Sequence, residues 1–322
     1  MLLTAGPRTS AVGGNDRLDI ALVNNMPDAA LRQTEEQFAR LLNAGGRVGV
    51  RCYSLPTVAR QGEAAAYVRA HYFPLDALWE SDPAAVIVTG CEPQSADLTC
   101  EPYWDQLTQV LQWARETVPS MMASCLAAHA ALLSFDNVTR RRLPAKRSGV
   151  YSQRVAGGDA LTAGLPARVV MPHSRVNDVR AGMIEAAGYH RLIFSDDFGW
   201  SAAAKEYSHH LLVLLQGHPE YDADTLLLEF RRDVRRFALG ELSSFPDPPV
   251  GYFTAEAAAV VAELRDRATS AGRNGWRGPD FPMTQLRSLV GAPWQQPAER
   301  LYGNWLTEVR RRVTERVGLI GA

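Results

Sequence analysis

A cysteine becomes a nucleophile when its surroundings favour the thiolate, and one cysteine of this chain stands in such a place. Cys125 follows a short apolar run, Met121–Ala123, that reads as a strand entering the centre of a sheet. After it come Ala127, Ala128, Ala130, Ala131, Leu132 and Leu133, strong helix formers at nearly every position. Cys125 therefore sits where a strand turns into a helix, and the helix N-terminus favours an anion there. Small neighbours such as Ala123 and Ser124 permit the tight elbow found around nucleophilic serines. Taken alone, the stretch fits equally a buried cysteine packed as a small hydrophobe. A second constellation shifts that balance. His218 and Glu220 flank Pro219 directly after the apolar run Leu211–Gln216. A base for a thiol must reach it with one ring nitrogen and be oriented through the other. A carboxylate two residues away, in a turn stiffened by proline, can be that orienter. Cys125, His218 and Glu220 thus form a set in which two members end buried strands of one sheet.

Further groups could complete such a site. Gly90, in the turn Thr89–Gln94, lets backbone N–H groups approach a ligand and supplies half of an oxyanion hole, with the Leu126 N–H as the other half. A plain tight turn is the alternative for that glycine. Cys91 lies in the same turn but has neither a helix behind it nor a small-residue elbow. Arg175 and Arg232 carry guanidinium groups that fit a substrate carboxylate bidentately, although arginines on a helix face are commonly solvated. The run Arg140–Lys146 reads as a basic, solvated loop.

The elements that must position these groups follow from periodicity. Leu18–Asn24, Arg47–Tyr53 and Ala84–Gly90 read as strands, Leu31–Leu42 and Tyr103–Thr117 as amphipathic helices, and Gln61–Leu78 as a mixed, partly helical connection. Strand and helix in alternation mean a parallel α/β sheet with helices on its faces. Beyond Cys125 the pattern shortens to β-like pieces at Gly149–Val155, Arg168–Met171 and Leu192–Ser195, then the Leu211–Gln216 strand and a helix at Asp224–Leu239. After a proline-rich boundary at Ser243–Pro249 come helices at Ala255–Ala268 and about Ala298–Val317.

With 322 residues, 34 Lys and Arg against 35 Asp and Glu, the chain can bury a large core and has no charge bias toward nucleic acid or an anionic membrane. The four cysteines show no CxxC pair, which argues against a disulfide framework and a structural zinc site. No run approaches the ~18 apolar residues a membrane span needs. The expectation is a cytoplasmic protein with a lead-in over 1–17, an α/β domain over 18–242, and an extension over 243–322 packing on it.

These residues together resemble the homoserine O-acyltransferases of the methionine pathway, specifically the succinyltransferase type built on a class I glutamine amidotransferase-like, flavodoxin-like fold with a C-terminal helical extension. The resemblance rests on Asn25–Asp28 followed by Gln33–Glu35, Val88–Gly90, Tyr103-Trp104 and Cys125 with Ala130–Leu132. It continues through Lys146 with Ser148–Tyr151, Pro172–Arg175, Gly217–Asp222, Arg232-Asp233, Tyr252-Phe253 and Asn304–Leu306. It implies a ping-pong acyl transfer in which Cys125 takes an acyl group from a CoA thioester and His218, supported by Glu220, moves the proton. Arg232, Ser174 and Arg175 match positions that hold the amino-acid substrate, and Lys146 matches a lysine near the active site. Two departures stand out. Leu126 and His129 occupy positions where the family usually has an aromatic residue and a glutamine. Gln94 falls where glycine goes with succinyl transfer and glutamate with acetyl transfer. The expected activity is homoserine O-succinyltransferase, with an acyl-CoA and a hydroxy amino acid as partners, no cofactor or metal, and a homodimer left open. Homoserine O-acetyltransferase and serine O-acyltransferase are the near alternatives. An amidotransferase-like hydrolase and a catalytically silent binding module are the distant ones.

Overall fold

The computed structural model describes residues 12–13, 17–270 and 281–320. Its strands and helices are β1 (Val12–Gly13), β2 (Arg17–Val23), α1 (Leu31–Ala44), β3 (Val48–Tyr53), α2 (Gly62–His71), α3 (Asp76–Trp79), β4 (Ala85–Val88), α4 (Trp104–Thr117), β5 (Ser120–Ser124) and α5 (Leu126–Asp136). Then follow β6 (Arg141–Val155), β7 (Arg168–Asp178), α6 (Ala181–Ala186), β8 (His190–Ser195), β9 (Gly199–Tyr207), β10 (His210–Leu215), α7 (Thr225–Ala238), α8 (Ala255–Ser270), α9 (Met283–Arg287) and α10 (Gln295–Ile320).

Side chains alternate across a strand, and the parallel half of the sheet uses that alternation to feed two cores. Ala21, Val23, Val86, Val88, Met121, Ala123, Leu212 and Leu214 face one way, onto α4 and α5. Leu18, Ile20, Leu22, Ile87, Met122, Leu211, Val213 and Leu215 face the other, onto Phe38, Leu41 and Leu42 of α1 and Leu301, Tyr302, Trp305 and Leu306 of α10. Strands buried on both faces must be apolar throughout, which is why β4, β5 and β10 read as continuous runs. The order β3-β2-β4-β5-β10 is parallel, the doubly wound arrangement in which ligands bind beyond the carboxyl ends of the strands. From β10 the sheet continues antiparallel through β9, β8, β6 and β7.

The C-terminal helix α10 is tied to the sheet centre by polar bonds as well. Trp305 Nε1 donates to Ser120 Oγ at 2.9 Å, and Asn304 Nδ2 donates to the Leu161 and Ala163 carbonyls. A third apolar cluster gathers α7 and α8 with Tyr221, Tyr252, Phe281 and Trp294. Two sequence expectations need correction. Arg140–Lys146 is not a loop: β6 begins at Arg141, pairs Arg141 with Asp178 and Arg142 with Asn177, and shifts register before Arg147. Strand β9 was not anticipated, because Ser201-Ala-Ala-Ala204 carries the helix-favouring residue alanine, and only its place between β8 and β10 makes it a strand.

Candidate active site

Cys125 caps the N-terminus of α5 with φ 53° and ψ −111°, a backbone conformation that side-chain-bearing residues rarely adopt. The strain is held on both sides. Its N–H donates to the Leu215 carbonyl at 2.7 Å, and its carbonyl accepts from Ala128 and His129 of the helix. The sequence explains why the turn is possible: Ala123, Ala127 and Ala128 are fully buried, and larger side chains would not fit there. The thiol sits at a half-buried position on the carboxyl-end side of the parallel sheet.

His218 lies three residues beyond the end of β10, the strand paired with β5. Its turn is fixed by the His218 N–H on the Pro172 carbonyl and by the Gln216 and Gly217 N–H groups on Ser201 O. Nδ1 stands 2.7 Å from Glu220 Oε1, and both side chains are almost wholly buried. Nε2 is buried with no hydrogen-bond partner among the described residues. Burial opposes charge on this ring, but the Glu220 carboxylate and then Cys125 outweigh it, and the His218 pKa stands well above the ordinary histidine value. Tyr221 stacks on the ring at 4.3 Å and 17°, and its hydroxyl donates to Glu229 Oε1 at 2.7 Å. The three residues singled out from the sequence are therefore brought together, with Glu220 orienting the ring through the nitrogen remote from the thiol.

Gly90 ends against Leu126. A Cβ placed on Gly90 would stand 3.0 Å from Leu126 Cβ and 3.1 Å from Leu126 N, so glycine keeps the space in front of that N–H open. The first N–H groups of a helix have no intrahelical partner, which leaves the Leu126 N–H free to serve an oxyanion. Gln94 is exposed, and its backbone N–H is held by the buried Glu101 carboxylate at 2.8 Å. Cys91 is buried, and burial pushes its thiol up to about 12, unlike a reactive cysteine.

Helix α7 turns a polar stripe toward β6 and β7. Lys146 Nζ binds Asp233 Oδ2 at 2.7 Å and lies 3.6 Å from Glu229 Oε2. Ser174 Oγ donates to the same Glu229 carboxylate. Arg232 is half exposed and pairs with Asp233 at 3.4 Å. Arg175 is placed differently from the other substrate candidates. It is turned inward, bonded to His173, Asp178 and the Phe198 carbonyl, and its buried Nε has no hydrogen-bond partner among the described residues. Burial pulls its pKa down to about 10.

Reading the sequence did not single out Glu229 or the network behind the His218 turn. Glu229 borders the apolar stripe of α7 one turn before the buried Asp233, and two acidic residues at that spacing beside the stripe were the available signal. His129 is in the core: its Nε2 donates to Gln216 Oε1 at 2.9 Å, while Gln216 Nε2 donates to Asp178 and to Trp200 O. Burial pulls the His129 pKa down to about 4, and with Nε2 committed to Gln216 inside the core the ring is placed for structure rather than for proton transfer at the thiol. No group of three or more His, Cys, Asp or Glu able to hold a metal occurs among the described residues, and none of their helices is long and apolar enough to cross a membrane.

Comparison with solved structures defines the class first. A glutamine amido transferase from Methylobacillus flagellatus superposes over 90% of this chain and 94% of its own with a TM-score of 0.50 at 13% identity, a likeness of fold. The fold is that of a class I glutamine amidotransferase-like α/β protein. The family model "Homoserine O-succinyltransferase" matches residues 8–315, and the chain belongs to that family. A homoserine O-succinyltransferase of Rhodopseudomonas palustris is 40% identical over 292 residues, covering 90% of this chain and 87% of the relative. Another, from Methylorubrum extorquens, is 42% identical over 301 residues, covering 92% and 88%. The chain is thus an enzyme of the acyltransferase type.

Proposed function

We propose that this chain transfers the succinyl group of succinyl-CoA to the hydroxyl of homoserine through an acyl-enzyme on Cys125. The observation that carries the reading is the strained Cys125 at a helix N-terminus beside a histidine whose far nitrogen is held by Glu220. An imidazolium next to a thiol favours the thiolate. In the first half-reaction the Cys125 sulfur attacks the thioester carbonyl, and the backbone at Gly90 and Leu126 receives the oxyanion. Collapse of that adduct breaks the bond to the CoA sulfur, which takes its proton from His218. In the second half-reaction the neutral His218 removes the proton of the acceptor hydroxyl as its oxygen attacks the acyl thioester. The Cys125 thiolate leaves, and the imidazolium–thiolate pair is restored.

The acceptor is an amino acid, so its two charged ends need partners. Arg232 suits the carboxylate because it is half exposed and spends little of its fork on Asp233. Glu229, one turn earlier on α7, suits the ammonium group. Lys146 holds Asp233 and Glu229 in place, and Ser174 braces Glu229 from β7. Arg175 contributes its buried Nε–H, which has no hydrogen-bond partner among the described residues. All four cysteines are free, which agrees with a cytoplasmic, reducing compartment. The test is steady-state product analysis with succinyl-CoA or acetyl-CoA, each offered homoserine or serine. O-succinylhomoserine should dominate; hydrolysis of the donor at an equal rate without acceptor would contradict the reading.

A further inference from the structure

Arg140, in the turn between α5 and β6, is a half-buried guanidinium that none of the roles above uses. Its Nη2 donates to the carbonyls of Ser95 at 3.0 Å and Ala96 at 3.2 Å, in the loop that leads away from Gly90. Neither Nε nor Nη1 has a hydrogen-bond partner among the described residues, and Nε is buried. No carboxylate of the described residues lies within ion-pair distance of it; its acidic neighbours are Glu101, whose Oε1 is spent on backbone N–H groups while its buried Oε2 has no hydrogen-bond partner among the described residues, and Asp97. Glu101 Oε1 accepts the Gln94 N–H at 2.8 Å and the Ser95 N–H at 2.6 Å. Burial works against the charge of Arg140, while Tyr103, Glu101 and Cys125 lie near enough to act on it.

A half-buried guanidinium that makes no ion pair among the described residues gains when an anion completes its unused N–H groups. This one binds the loop that leads from Gly90, whose backbone meets Leu126, and it lies near enough to Cys125 to feel its charge. Its hydrogen bonds go to the Gly90 loop, whereas the residues assigned to the amino acid lie on or against α7. We propose that Arg140 is a specificity-determining residue that binds the free carboxylate at the far end of a dicarboxylic acyl-CoA. The inference rests on the acyl-transfer reading of Cys125. It accounts for a donor preference that Gln94 does not supply, because Gln94 is exposed and uncharged. Glu101 and Arg140 together grip the Gln94–Ala96 backbone by its N–H and C=O groups, so the same arginine is fixed in place by the wall it completes.

The test uses the first half-reaction alone: CoA release and acylation of Cys125, without acceptor, measured by rapid quench. Succinyl-CoA is compared with butyryl-CoA, which replaces the carboxylate by a methyl group and carries the same CoA. The wild type should prefer succinyl-CoA. In Arg140→Met the succinyl-to-butyryl ratio should fall roughly 10- to 100-fold, the worth of hydrogen bonds to a charged group. Arg140→Lys, which keeps the charge and loses the fork, should give an intermediate ratio. The ratio is independent of how much of a variant folds. An unchanged ratio in both variants, with both donors slowed alike, would overturn the proposal and leave Arg140 as a brace for the loop or a contact to the CoA phosphates. A wild type without donor preference would overturn it as well. A wild type that no acyl-CoA acylates would instead remove the acyl-transfer reading itself, and the inference with it.

Discussion

Replacing Glu220 by glutamine removes one charge and almost no volume, and so isolates what that charge does. Glu220 Oε1 lies 2.7 Å from His218 Nδ1, with both groups almost fully buried. Two unit charges about 4 Å apart interact by about 4 kcal/mol at an effective dielectric of about 20. Burial already opposes the imidazolium, and Glu220 is the largest influence that holds it charged. Without the carboxylate, the imidazolium loses up to that amount, and 4 kcal/mol is about a thousandfold in rate at ~1.4 kcal/mol per decade. An amide that offers its N–H to Nδ1 would also select the wrong tautomer. The expected result in Glu220→Gln is a loss of roughly 10²–10³ in the rate of Cys125 acylation at neutral pH. The His218 ring, followed by NMR, should titrate at lower pH than in the wild type. The fold should persist, because Arg40 binds the Glu220 backbone carbonyl and not its side chain. Acylation within a few-fold of wild type, with His218 still protonated at neutral pH, would refute this account of the pair.

Other outcomes follow from the same coordinates. Gly90→Ala should reduce acylation by about 10²–10³ with little change in thermal midpoint, because the added methyl stands 3.0 Å from Leu126 Cβ in front of the oxyanion-facing N–H. Arg232→Lys should leave acylation of Cys125 intact and slow transfer to the acceptor, which rapid-quench measurement of the two half-reactions would separate. Stability should fall in acid through the buried histidines. His129 and His210 have folded pKa values of about 4, below the unfolded value of about 6.5, so between those limits the unfolded state binds more protons and stability drops as pH falls. Each contributes up to about 3 kcal/mol, and denaturant titrations at neutral and acidic pH should show His129→Gln losing less than wild type, since glutamine can keep the bond to Gln216.

Most of the parallel half of the fold was readable because buried strands must be apolar and their flanking helices amphipathic. The bounds expected for β2, β3, α1 and α4 differ from those observed by one or two residues. The antiparallel half was less readable. In β9 the alanines at 202–204 carry a helix preference that pairing with β8 and β10 overrides. In β6 the charges of Arg141 and Arg142 describe a solvated surface, and edge pairing with β7 is compatible with that. The grouping of Cys125, His218 and Glu220 was legible because each follows an apolar run that must be a buried strand, and β5 and β10 are neighbours in the sheet. Glu229 was not, since its role depends on which face of α7 meets Lys146 and Ser174. The network from His129 through Gln216, Asp178 and Arg175 to His173 was hidden for the same reason: it joins α5, the turn after β10 and β7, three places distant in sequence.

The central claim is that a single sulfur carries the acyl group. Incubation with succinyl-CoA in the absence of acceptor, followed by acid quench and mass analysis of peptides, tests it directly. One succinyl group should appear on the peptide containing Cys125, vanish in Cys125→Ala, and persist in Cys91→Ala, whose thiol burial holds protonated. It should be lost when homoserine is added, with O-succinylhomoserine formed in equal amount. A label on Cys91, or product formed at normal rate by Cys125→Ala, would contradict the account.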